Sequence, residues 1–307
     1  MDARPEEVRP EREALQRVAW TRGQGCAEVA NLLAGGTATR IDGDLRSTCI
    51  RERVDAVVSR KLSSFDLVPV IVPQSVDVDS VERITAAVGG GPHSPLAVAV
   101  AARLGIAMGI PTTAASIYRA SDARESTLQR LGSLVAPYPS VQTRAVRGDS
   151  AVHLIESLDA ATLLVVGAPG GSWFQRQIFG LGHRLAVRAP AGVLVVRTAE
   201  SRCYQMVVDD AGAVAGAHLP VSAARQIIHD PVVAVAEGGR LIGVVRSDEL
   251  EELDGDLLLR DVMHPPVSVG AVEPIDAISD VREYFSGAPI PVVDDAGKIV
   301  GMIPLGA

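Results

Sequence analysis

Between residues 82 and 197, short apolar runs alternate with longer segments in which apolar residues recur every three or four positions. The runs at 84–88, 112–118, 141–146, 162–166 and 192–196 predict buried strands, and the segments 95–108, 123–134, 150–158 and 181–187 predict the helices between them. Strands separated by helical crossovers imply a parallel sheet covered on both faces. The expected fold class is therefore α/β, with a doubly wound parallel five-stranded sheet over residues 81–199. Ligands of such sheets sit beyond the carboxyl ends of the strands, where the strand order reverses.

The flanking regions follow other patterns. Residues 1–80 form a region of unknown type. A helix is predicted over 16–33, broken near Gly23 and Gly25 and ended by Gly35-Gly36, then a second over 49–62 and a buried strand at 67–72. This helix and strand resemble the pair at 184–196, which hints at a degenerate half-domain. Beyond Ser201 an internal repeat emerges: residues 233–245 align without gaps onto 291–303, Gly239 falling on Gly297 and Gly243 on Gly301. Each copy predicts strand, glycine-containing turn, strand, and each follows a helix, at 221–229 and 275–285. One copy would leave an apolar sheet face uncovered, so two are expected to pack together as a domain over 203–307.

Composition narrows the function classes. At 307 residues the chain suits two or three domains, and 47% hydrophobic content lets each bury a core. The net charge of −8 arises from interspersed charges of both signs, without a Lys/Arg block, so no direct nucleic-acid partner is expected. The longest apolar run, 95–111, contains Arg103 and falls short of the roughly 20 residues a membrane span needs. The opening MDARPEEVRPERE is charged where a secretion signal is apolar. No membrane association and a cytoplasmic location are the expectation. Cys26, Cys49 and Cys203 lie far apart with no metal-ligand spacing, so they read as thiols and no metal is expected.

Catalytic constellations are missing too. The six histidines are dispersed, and neither an HExxH helix, a GxSxG elbow nor a Walker lysine occurs, so the chain is not expected to be an enzyme. Asp209-Asp210 and Asp294-Asp295 read as turn residues. Trp173 and Phe174 could form an exposed contact, a base-stacking platform or a lid.

Two family resemblances rest on motifs. ITAAVGGGPHSPLAVAVAARLG, from Ile84, resembles the first strand and helix of the universal stress protein family. Gly167-Ala-Pro-Gly170, then Gly180-Leu-Gly182 and HRLAVRAPAGVLVVR, resemble its nucleotide loop G-x2-G-x9-G-[ST] with the following helix and last strand. In such a loop backbone N–H groups and a helix N-terminus hold phosphates without cationic side chains. The resemblance implies an ATP or AMP site at Gly89, Gly167, Gly170, Gly180, Leu181 and Gly182. Two of these depart from the family: Leu181 replaces a hydroxyl residue and Gly89 replaces an Asp.

The C-terminal repeat resembles a tandem pair of CBS motifs. Asp261-Val-Met263 and HPPVSVGAVEPIDAISDVREYFSGAPIPVVDDAGKIVGMI match the second motif, and QIIHDPVVAVAEGGRLIGVVRSDEL supplies the end of the first. The family binds AMP, ATP or S-adenosylmethionine in clefts between motifs, which implies a cleft at Val233, Arg246, Asp248, Glu249 and Pro291. Here Arg246 stands where the family has a hydroxyl residue and Glu249 where it has Asp, while the second copy reads Gly301-Met-Ile-Pro304 with no acidic residue before Ala307. Together the resemblances imply a non-enzymatic regulatory or stress-response protein, sensing adenine nucleotides and acting through a homodimer or an unidentified protein partner. An interaction or scaffold protein that has lost nucleotide binding is the alternative, and a weak ATPase the second.

Overall fold

The computed structural model describes residues 15–23, 25–62, 65–159, 161–168, 191–208 and 212–304. They group into two units: one runs up to Leu45 and from Val54 to Ala199, the other takes Arg46–Arg53 with the residues from Glu200 onward.

In the first unit the apolar runs among the described residues become one sheet of nine strands. These are β1 (Val18–Trp20), β2 (Thr39–Arg40), β3 (Ala56–Val58), β4 (Val70–Gln74), β5 (Arg83–Ala87), β6 (Thr112–Tyr118), β7 (Val141–Arg147), β8 (Thr162–Gly167) and β9 (Val193–Arg197). Their order is β2-β1-β3-β4-β9-β8-β5-β6-β7. Every neighbouring pair is parallel except β4 and β9, which run antiparallel with Ile71 opposite Val196 and Val72 opposite Val195. Counting outward from this seam, β4, β3, β1, β2 follow the same order as β9, β8, β5, β6. The helices of this unit are α1 (Cys26–Ala34), α3 (Ser94–Met108), α4 (Ala123–Val135) and α5 (Ala151–Glu156), while α2 (Leu45–Arg51) belongs to the second unit from Arg46 onward. Leu33 of α1, Val98 of α3 and Leu131 of α4 pack with Ile71, Ile84 and Leu194 on one sheet face. Leu154 and Ile155 of α5 pack with Val70, Val72 and Val195 on the other.

Helix α3 shows how local sequence fixes an element. Pro95 lies in its first turn, where a missing N–H costs nothing, and Gly109 (φ 67°) caps its end by donating to the carbonyls of Gly105 and Ile106. Its buried alanines, among them Ala97, Ala101 and Ala102, let it lie close to the sheet.

Several expectations are corrected here. Among the described residues the sheet has nine strands rather than five, and it is mixed rather than wholly parallel. Residues 15–74 are not a separate region, because their strands continue the same sheet. The helix expected over 16–33 is strand β1 followed by α1, and the helix expected over 49–62 ends at Arg51 before strand β3. Both missed strands are three residues long, too short for period-two alternation to show. The strand at 192–196 is not an edge: β4 covers one side and β8 the other, so its backbone calls for no second copy. The helix expected over 181–187 lies outside the described residues.

The second unit bears out the repeat. Strands β10 (Val214–Gly216), β11 (Val232–Glu237) and β12 (Arg240–Arg246) form one three-stranded sheet, and β13 (Val269–Gly270), β14 (Ile290–Val293) and β15 (Ile299–Ile303) the other. The helices are α6 (Val221–Ile227), α7 (Ser247–Leu250), α8 (Leu259–Val262) and α9 (Ile278–Phe285). Gly238 and Gly239 make the two-residue turn between β11 and β12 with φ of 58° and 80°, the left-handed pair a tight hairpin requires. In the second hairpin Asp294 Oδ1 accepts from the N–H groups of Ala296 and Lys298, the turn role read for this pair.

The copies exchange backbone hydrogen bonds. Leu241 N–H donates to Gly297 and Ile299 N–H to Gly239. His264, ahead of β13, bridges Val244 in β12, and Val208, ahead of β10, bridges Met302 in β15. Leu241, Ala234 and Met302 are buried together where the hairpins meet. Among the described residues of the whole chain, no helix is long and apolar enough to cross a membrane.

Candidate functional site

Strand β5 is followed by β6 on one side, while β8 lies on its other side, so the order reverses between β5 and β8. Crevices at such reversals, beyond the carboxyl ends of the strands, are where open α/β sheets hold ligands. Gly89 follows β5 at this point, and Gly167 ends β8. Gly170, Gly180, Leu181 and Gly182, with Trp173 and Phe174, lie outside the described residues.

Two side chains that the sequence did not single out are held near the residues that follow β5. Arg130 of α4 lies beside the glycine turn, its Nη1 3.4 Å from where a Cβ on Gly90 would stand. Its Nη2 donates to Ser116 Oγ at 3.1 Å, and Ser116 Oγ donates to Val88 O at 2.7 Å, tying α4, β6 and the end of β5 together. No carboxylate among the described residues pairs with Arg130. This leaves an uncompensated cation beside backbone that can approach an anion closely.

The second is His93, which sits just ahead of α3. Its Nδ1 accepts a hydrogen bond from the Thr198 N–H at 3.2 Å and lies 2.7 Å from Thr198 Oγ1. An amide N–H only donates, so Nδ1 carries no proton and the neutral ring holds its hydrogen on Nε2. Burial, then the charge of Arg197, holds the His93 pKa below its ordinary 6.5. The folded state thus binds fewer protons at this ring than the unfolded chain. The Thr198 contact contributes stability in full above pH 6.5, and that contribution is lost as the pH falls through the folded value. His93→Gln is expected to flatten the acid limb of the thermal stability of the sheet unit, read by tryptophan fluorescence below pH 6.5. An unchanged acid limb would refute this assignment.

In the second unit, the cleft residues are partly brought together. Arg246 ends β12, and its Nε lies 3.4 Å from Asp248 Oδ1 and 3.7 Å from Glu249 Oε1 in α7. Glu249 Oε2 is 2.5 Å from His264 Nε2, reached across the bridge between the copies. The acidic group expected to face a ligand is thus already engaged by a cation and an imidazole. Val233 does not line this cluster: it is buried in β11 with Val221, Val245 and Leu259. Pro291 of β14 is likewise buried, opposite Met302 of β15.

All three cysteines are buried, and none forms a disulfide. Burial and then the Glu273 carboxylate push the Cys203 thiol up to about 12, and burial raises Cys26 against the opposing charge of Arg60. Neither thiol is poised as a nucleophile. Among the described residues, no group of three His, Cys, Asp or Glu stands close enough to hold a metal ion.

No family model matches the chain. No curated protein matches it either. Solved structures do, and they include CBS domain pairs. The soluble part of a magnesium transporter matches with 19% identity and TM-score 0.30 over 34% of this chain and 44% of its own. The cytosolic domain of the Mg2+ channel MgtE, in complex with ATP, matches with 19% identity and TM-score 0.29 over 34% and 46%. A CBS domain pair/ACT domain protein from Thermotoga maritima matches with 21% identity and TM-score 0.30 over 34% and 89%. The chain spans less than half the length of the first two.

Proposed function

We propose that the chain is a non-enzymatic regulatory protein that senses an adenine nucleotide in its sheet unit. The tandem repeat passes the response to a protein partner or a second copy. The observation that carries this reading is the placing of Arg130, with which no carboxylate among the described residues pairs, beside the glycine turn after β5 at the strand-order reversal. Backbone donors and one guanidinium suit a phosphate group. The order β9-β8-β5-β6-β7 supports the resemblance to universal stress proteins, and the cross-bridged hairpins support the resemblance to CBS pairs.

The sheet unit is the preferred nucleotide site over the repeat. Glu249 would first have to be released from Arg246 and His264, and Pro304 offers no backbone N–H at the corresponding place in the second copy. Homodimer formation would use the repeat, since β9 is covered within its own sheet.

Equilibrium titration of the full chain with ATP and AMP tests the reading. Saturable binding is expected, weakened about tenfold or more in Arg130→Ala, the loss of one charge-assisted contact. Binding that Arg130→Ala leaves unchanged would remove the site. No binding of either nucleotide would favour the scaffold alternative.

A further inference from the structure

Away from the carboxyl ends of the strands, on the helical face of the same unit, lies a cavity of about 270 Å³. Leu32 near the end of α1, Ala99, Ala102 and Ile106 of α3, and Tyr138 beyond α4 wall it, and Arg103 of α3 completes it. None of the residues around it is acidic. Ile106 is 60% exposed, the most exposed large apolar side chain in the chain's described residues.

Arg103 is held in place by the backbone. Its Nε donates to Leu33 O at 2.8 Å and its Nη2 to Ala34 O at 3.5 Å, satisfying carbonyls at the C-terminal end of α1. Among the described residues neither hydrogen of Nη1 has a partner, and no carboxylate pairs with the guanidinium. An oriented guanidinium with a free edge at an apolar cavity is the complement of a carboxylate on an apolar body.

We infer that this cavity binds a medium-chain carboxylic acid, with the carboxylate on Arg103 and the hydrocarbon between α1 and α3. At the small end of ligand-pocket sizes, it takes a molecule on the order of ten non-hydrogen atoms. Hydrocarbon seated there also covers Ile106, removing apolar surface from water. Two other occupants fit less well. Residues 1–14, MDARPEEVRPEREA, bring mostly charge to an apolar cavity, and a second copy docked on the same face would bring its own Arg103.

The test uses octanoate and its uncharged counterpart octanamide, titrated into the full chain by calorimetry. Octanoate is expected to bind saturably and octanamide at least tenfold more weakly. Arg103→Gln should weaken octanoate about tenfold, and Ala107→Trp, at an exposed position lining the cavity, should abolish its binding without lowering the melting temperature. Absence of saturable octanoate binding, equal affinity for octanamide, or undiminished binding in Ala107→Trp would each overturn the proposal. So would a protein mass that doubles in light scattering and halves again in Ala107→Trp, which would give the cavity to a second copy.

Discussion

Gly192→Ala is expected to destabilise the sheet unit by about 3–5 kcal/mol, the combined cost of a strained backbone and an overpacked contact. Gly192 precedes β9 with φ 102°, a conformation L side chains rarely adopt. A Cβ there would stand 2.6 Å from Ser75 O, 2.6 Å from Val76 Cα and 2.8 Å from Val76 N, all backbone atoms just beyond β4. The opposing turn has little room to retreat, because Ser75 itself holds φ 48°. Relief would therefore have to come from the β4–β9 pairing, which joins the two halves of the sheet. Both tryptophans, Trp20 and Trp173, fall in this unit, so the urea midpoint by tryptophan fluorescence reads it without interference from the repeat. Gly36→Ala is the control: nothing lies within 4 Å of its Cβ position, and a surface change of that kind stays within about 0.5 kcal/mol. Equal midpoints for the two variants would show that the seam tolerates the extra atom and would refute the prediction.

In the second unit the corresponding weak point is Gly243. Its Cβ would lie 2.5 Å from Met263 Sδ and 2.6 Å from the His264 carbonyl oxygen, where the copies exchange backbone hydrogen bonds. Gly243→Val must push residues 263–264 away from β12, breaking the pairing of His264 with Val244 and drawing His264 off Glu249. The expected loss is about 3 kcal/mol or more. This unit has no tryptophan, so amide hydrogen exchange read by mass spectrometry is the measurement. Exchange should rise most in peptides covering 241–246 and 261–266. Protection equal to that of the unchanged protein would sink the argument.

What the sequence revealed and what it hid have separable causes. The five longer strands from β5 to β9, with helices α3 and α4, were legible because buried runs and helical periodicity extend over enough residues to be distinguished. The repeat was legible because Gly243 and Gly301 recur where the chain crosses closely: a Cβ on Gly301 would meet Val207 Cγ1, as one on Gly243 meets Met263. Strands β1 and β3 were read as helix because three buried residues have no period of their own, and neighbours in space supply what local pattern lacks. The candidate site was half legible. Glycines announce close backbone approach, so Gly89 and Gly167 stood out. Arg130 lies in a helix among other polar residues, and only folding carries it to Ser116 and the turn at Gly90. His93 carried no motif, since its partner Thr198 is 105 residues away. In the repeat, Arg246, Asp248 and Glu249 were found as neighbours in sequence, whereas the His264 that engages Glu249 comes from the other copy.

The antiparallel joint between β4 and β9 also has an evolutionary meaning. When two halves of a sheet belong to separate identical chains, every substitution strikes both, so neither can lose a feature the other needs. Here both halves are encoded in one polypeptide and are held at fixed stoichiometry, so each is free to vary alone. The halves differ accordingly: the second half has β7 beyond β6, while among the described residues no strand lies beyond β2 in the first. The turn after β5 keeps Gly89, Gly90 and Gly91, whereas the segment after β3 reads Ser59-Arg60-Lys61. One half can serve as a permanent brace while the other alone carries the proposed ligand site.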